Sequence, residues 1–141
     1  MLFRQTHRGG AGRQGVAASE LVIVASVFLF ILLVSTDFAR LYYDYITVSG
    51  CARNGALYGC LDATHSTDTT GIQTAALTDA GTMSSTPSVS STTGNDANGD
   101  PYVKVTVTST FTTIVTYPGI PSTVTLTRSV QMRVVQTTPT P

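Results

Sequence analysis

The sequence predicts an α+β protein: a long N-terminal helix, transmembrane at first and then projecting outward, packed against a small antiparallel β-sheet, with one short extra helix. Three observations predict it. Positions 21–34 read LVIVASVFLFILLV, an almost wholly apolar run. An apolar stripe at helical spacing follows it, and two stretches of period-two alternation close the chain.

The apolar run, extended to residues 16–36, makes a segment of 21 residues, about 31 Å long as a helix and enough to cross a hydrocarbon core. Residues 1–15 form a polar leader holding Arg4, Arg8 and Arg13 and no acid. Basic residues beside a span stay in the cytoplasm, so the leader is expected inside and the C-terminal domain outside, in a single-pass arrangement. Glu20 is the anomaly of this segment. A carboxylate at the centre of a membrane helix costs about 2.5–3.5 kcal/mol on the mildest scale, and less near the end, so its presence asks for a reason. Two other readings of the stretch stay open: an uncleaved anchor, and a secretory signal peptide cut before Asp37.

Residues 37–60 continue the helix. Leu41, Tyr45, Val48, Ala52, Ala56 and Gly59 follow helical spacing and define one apolar face. Asp37, Arg40 and Asp44 stand three and four apart, where side chains meet on a helix surface. Phe38, Tyr42 and Tyr43 suit a membrane interface. An unbroken helix over residues 16–60 is about 67 Å long, so it projects well beyond a membrane. Gly50, Gly55 and Gly59 each weaken it by about 1 kcal/mol relative to alanine, so the distal part needs tertiary packing, and the small residues there let another element come close. Cys51 and Cys60 are the only cysteines. On one helix they lie about 13 Å apart along the axis, too far for a disulfide. The alternatives are a helix broken at Gly55 or Gly59, free thiols, or bridges to other chains.

Residues 61–136 are expected to form the extracytoplasmic domain. DATHSTDTT (62–70) reads as a loop with His65 exposed in it, and Ile72, Ala75, Ala76 and Ala80 read as a short helix ending at Gly81, capped by Thr69 or Thr70. Asn98-Gly99 is a hairpin signal; Asp96, Asn98 and Asp100 could also be spaced as calcium ligands, but the glycine and late glutamate of a calcium loop are missing. From Tyr102 to Tyr117, Val103, Val105, Val107, Phe111, Val115 and Tyr117 share one face, opposite Lys104, Thr106, Thr108, Thr110, Thr112 and Thr116. A turn at Pro118-Gly119-Ile120-Pro121 leads to a second buried face of Val124, Leu126, Val130, Met132 and Val134, with Arg128 intruding. The tail, 137–141, reads as disordered.

Several functions drop out on inventory. Outside the leader five basic residues face eight acidic ones, which disfavours nucleic acid as a partner. Two histidines, a single glutamate placed in the membrane segment, and the lack of a phosphate loop or nucleophile elbow argue against an enzyme. No cofactor, no metal site and no small-molecule substrate are expected.

Three blocks carry a family resemblance: GVAASELVIVASVFLFILLV, DFARLYYDYITVSGCARNGALYG and YVKVTVTSTFTTIVTYPGIPSTVTLTRSVQMRV. They resemble the leader junction, helix continuation and closing strands of TadE-like minor pseudopilins of the bacterial tight-adherence (Flp) pilus system, within the type IV pilin superfamily. Two positions depart from the usual pattern: Val16, where many pilins carry phenylalanine or methionine, and Leu21, where an aromatic is frequent. The resemblance implies a prepilin-peptidase cut between Gly15 and Val16, and Glu20, the fifth residue after it, as the assembly carboxylate. It also implies partners: membrane lipid, the peptidase, other pilins or pseudopilins and Tad assembly proteins, at the cell membrane. The alternative is a permanently anchored single-pass envelope protein whose outer β domain is a binding module.

Overall fold

A computed structural model describes residues 11–136 of the chain. The N-terminal part of the expected leader, residues 1–10, and the expected tail, 137–141, lie outside the described residues. The elements are helix α1 (Ala11–Gly59), α2 (Ala63–Thr67), α3 (Thr69–Leu77), a 3-10 turn (Ala80–Thr82), and strands β1 (Ser88–Asn95), β2 (Pro101–Thr112) and β3 (Thr123–Arg133). The architecture is α+β, as the sequence predicts, with a few short helices rather than one. Two compact units divide the chain, one ending at Thr36 and the other starting at Asp37.

In the C-terminal unit the strands form one antiparallel sheet in the order β1-β2-β3. The period-two reading of β2 puts Val103, Val105, Val107 and Phe111 on one face, and all four are buried. The covering element is the outer part of α1. Val48, Cys51, Ala52 and Ala56 are fully buried and join Val103, Val105 and Val107 in the core. β2 runs opposite to α1. A Cβ built on Gly59 would stand 3.0 Å from Val103 Cγ2, and one on Gly55 3.1 Å from Val105 Cγ1. Arg40 lies 5.3 Å from the centroid of the Phe111 ring, and Asp37 bonds Ile114. Residues 59 to 37 descend about 33 Å of helix while residues 103 to 114 climb about 36 Å of strand, so the two rows stay in step.

Gly55 and Gly59 are therefore small because strand and α3 side chains press on them. Gly50 has nothing within 4 Å of a built Cβ. The pair gives opposite expectations. Gly50→Ala should stabilise the domain by up to about 1 kcal/mol through helix propensity. Gly55→Val, meeting Ala76 Cβ at 3.1 Å and the Ile72 carbonyl at 3.3 Å, should destabilise it by about 1–3 kcal/mol through overpacking. Denaturant midpoints of the two variants in one detergent measure both.

Several expectations need correction. On α1 the buried stripe is Asp37, Asp44, Val48, Cys51, Ala52, Gly55, Ala56 and Gly59, with Leu41 half-buried, while Tyr45 is exposed. β2 ends at Thr112 instead of Tyr117, because the Ile114 N–H leaves the ladder for the Asp37 carboxylate. The face of β3 is only partly buried: Leu126, Val130 and Met132 pack against the core but, like Val124, stay half-buried, and only Val134 beyond the strand is enclosed. One helix about 10–12 Å across covers the middle strand of three and only the inner flank of each edge. Arg128 stacks its guanidinium 4.2 Å from the centroid of Tyr45, an apolar-compatible placement for a cation on that face.

The expected loop at 62–70 is helical in part. Asp62 caps α2 by accepting the His65 N–H at 2.8 Å, and Asp68, not a threonine, caps α3 by accepting the Gly71 N–H at 2.9 Å. His65 is half-buried, its ring edge-on to Tyr58 at 4.9 Å. The hairpin at Asn98-Gly99 forms as expected, with Gly99 at φ +85. The Asp96 carboxylate accepts the N–H groups of Asn98 and Asp100, and Asp100 pairs with Arg133, so these acids serve the turn. On the outer face, Thr106–Ser129 and Thr108–Thr127 hydroxyls pair across strands at 2.8 and 3.2 Å.

Candidate functional site

The N-terminal part of α1 carries the candidate site. Among the described residues it is the one helix long and apolar enough to cross a membrane. Every Val, Leu, Ile and Phe from Leu21 to Val34 exposes at least 40% of its surface. So much contiguous apolar surface needs hydrocarbon or other helices around it. The hydroxyls of Ser19, Ser26 and Thr36 each donate to a carbonyl of the preceding turn, at 2.8, 2.7 and 2.9 Å, which removes the cost of taking them into lipid. Glu20 is the only ionisable residue between Gly15 and Thr36, and it is exposed.

Gly15, Val16 and Glu20 fall within two turns of this helix, which passes through the Gly15–Val16 peptide without a break. Val16 and Glu20, four apart, share a face. Val16 is 59% exposed, and a Cβ on Gly15 would meet nothing within 4 Å. Cys51 and Cys60 are not brought together. Both thiols are free, Cys51 in the core and Cys60 at its margin with Sγ donating to the Leu57 carbonyl at 3.2 Å. Burial, aided by the charge of Asp79, pushes the Cys51 thiol up, and a buried protonated thiol is a poor nucleophile.

A second cluster, which sequence reasoning placed on the surface, starts where the C-terminal unit begins. Asp37 is only 5% exposed. Its carboxylate accepts the Ile114 N–H at 3.0 and 3.2 Å and the Tyr117 hydroxyl at 3.2 Å, and pairs with Arg40 at 3.2 Å. The Ile114 N–H first, then Tyr117 and Arg40, hold its carboxyl below the usual range against the opposing effect of burial. Arg40 also donates to Ser84 at 3.3 Å. One carboxylate thus fastens the β2–β3 loop to the first turn of α1 in this unit. A signal for it existed: stepping the stripe Gly59, Gly55, Cys51 and Val48 back by threes and fours reaches Asp44, Leu41 and Asp37.

Asp44, 4% exposed, is shifted the other way. Burial raises its carboxyl, and the charge of Arg40 opposes this. A raised folded value means that the folded state holds the proton longer, so ionised Asp44 works against stability above that value and its effect fades below the unfolded one. Asp44→Asn should therefore raise the unfolding midpoint at neutral pH and lose that advantage in acid. Thermal scans of both proteins across the acidic range read the crossover.

Among the described residues, no group of three or more His, Cys, Asp or Glu is placed to hold a metal ion. The family model described as TadE-like protein matches residues 15–57, which takes in the first quoted block, the second as far as Leu57, and Gly15, Val16 and Glu20. Neither a curated protein nor a solved structure matches the chain. The family match and the apolar helix together support a membrane-anchored protein associated with the Tad pilus.

Proposed function

From the TadE-like character of α1 we propose that the protein is a minor pseudopilin of a tight-adherence type pilus or related secretion apparatus. The observation that carries this reading is the lone Glu20, four residues after Val16 on a bare apolar helix within the matched segment. Cutting after Gly15 creates a positive amine on Val16. In an assembly, the Glu20 of one subunit pairs with the Val16 amine of its neighbour, so that two charges costly in lipid compensate one another. The apolar helix is the shared packing element, and the threonine-rich outer face of the sheet is the recognition surface. The basic leader keeps the N-terminus cytoplasmic and places the sheet outside.

Gly15→Ala is the direct test. The wild-type protein recovered from its native envelope should have the mass of a chain starting at Val16, and the variant that of the uncut chain. Normal processing of the variant would remove this reading and leave a tethered binding module.

A further inference from the structure

We propose that the β2–β3 loop, residues 113–121, is a lipid-contacting element that rests in the headgroup–acyl boundary of the bilayer crossed by α1; this rests on the membrane-anchoring reading. Connectivity places it there. The loop is fixed by Asp37, which accepts the Ile114 N–H at 3.0 Å and the Tyr117 hydroxyl at 3.2 Å. Asp37 directly follows Thr36, where the apolar segment ends. At about 1.5 Å of rise per residue, whatever is bonded to Asp37 sits at the membrane surface. The opposite pole of the sheet, the β1–β2 hairpin at Asn98, extends past the far end of α1.

The chemistry of the loop fits lipid. Ile114 and Ile120 are 59% and 57% exposed, and Ile120 lies between Pro118 and Pro121. On α1 at the same level, Phe38 and Tyr42 are 69% and 59% exposed. No ionisable side chain other than Tyr117 occurs from Val105 to Thr127. The loop itself therefore brings no charge for a complementary protein partner to recognise, and the one carboxylate bonded to it, Asp37, is buried and paired with Arg40. Leaving bulk water is expensive for an open loop because of its peptide groups, and here much of that cost is met internally. Pro118 and Pro121 have no N–H, Thr113 donates to the Ser122 carbonyl at 3.0 Å, Ile120 to the Tyr117 carbonyl at 3.2 Å, and Ile114 to Asp37. Tyrosine and exposed isoleucine beside a span form the amphipathic border that interfacial segments use, with insertion of about 5–10 Å.

The chain contains no tryptophan, so single-tryptophan variants report without background. The full chain carrying Ile23→Trp, Ile120→Trp or Asn98→Trp is placed in phospholipid nanodiscs with spin-labelled lipids. Ile23→Trp should be quenched by labels deep in the acyl chains, and Ile120→Trp by labels near the headgroup several times more strongly than Asn98→Trp. Quenching of Ile120→Trp no greater than that of Asn98→Trp, with Ile23→Trp quenched, would overturn the proposal alone. A blue-shifted but unquenched Ile120→Trp would overturn it in favour of a protein neighbour. An unquenched Ile23→Trp would remove the anchoring reading and this proposal with it.

Discussion

Glu20→Gln is expected to leave cutting at Gly15–Val16 and membrane insertion intact while incorporation into the assembly is lost. The neutral amide lowers the cost of holding the helix in lipid, so the monomer should not suffer. The neighbour's Val16 amine then loses its counter-charge. Removing one member of a buried pair costs about 3–5 kcal/mol, which is roughly two to four decades in the equilibrium for adding a subunit. Co-purification with the other pilus components, with N-terminal mass as the control for processing, measures it. Unchanged co-purification would sink the pairing mechanism even if Gly15 proved to be the cut site.

Asp37→Ala is expected to release the β2–β3 loop and to lower the thermal midpoint of the outer domain. The substitution leaves the Ile114 N–H without its acceptor and deprives Tyr117 and Arg40 of a partner, and an orphaned polar group costs more than the lost bond. Hydrogen exchange should quicken at Ile114 and Thr113 and stay slow at Val103, Val105 and Val107 in the core. Asp37→Asn should fall between, because an amide oxygen still accepts one of these bonds. The acid response separates the two further. A carboxyl held below its ordinary range contributes stability that is fully present above the unfolded value and is lost as pH falls through the folded one. Asp62 and Asp68, held down first by the N–H groups of His65 and Gly71, act in the same direction, so the variant should keep an acid limb, only a shallower one. Equal acid limbs in Asp37→Asn and wild type would refute the clamp.

Much of this protein was legible before any coordinates. An almost wholly apolar run at 21–34, extended to 21 residues over 16–36, states a helix long enough for a span, because length and hydropathy are read from neighbouring residues. The alternation of valine and threonine states β2, and Asn98-Gly99 states the hairpin, because pleat and turn chemistry act over neighbouring residues. Gly15, Val16 and Glu20, the residues proposed for processing and assembly, also lie close together in the chain, within one short piece of helix.

Tertiary structure decided the rest. Asp37 and Asp44 read as surface acids, and they became interior because the sheet that covers α1 comes from far along the chain. The donor that explains Asp37 is the peptide N–H of Ile114, 77 residues later. The same bond ends β2 at Thr112, where the alternation continues on paper to Tyr117. β3 carries as apolar a face as β2 yet remains half-open, since a single helix roofs the middle strand and leaves the edge. A sequence records which face of each element is apolar through periodicity alone; which partner reaches that face, and how far its cover extends, depends on contacts between distant residues that no local pattern encodes.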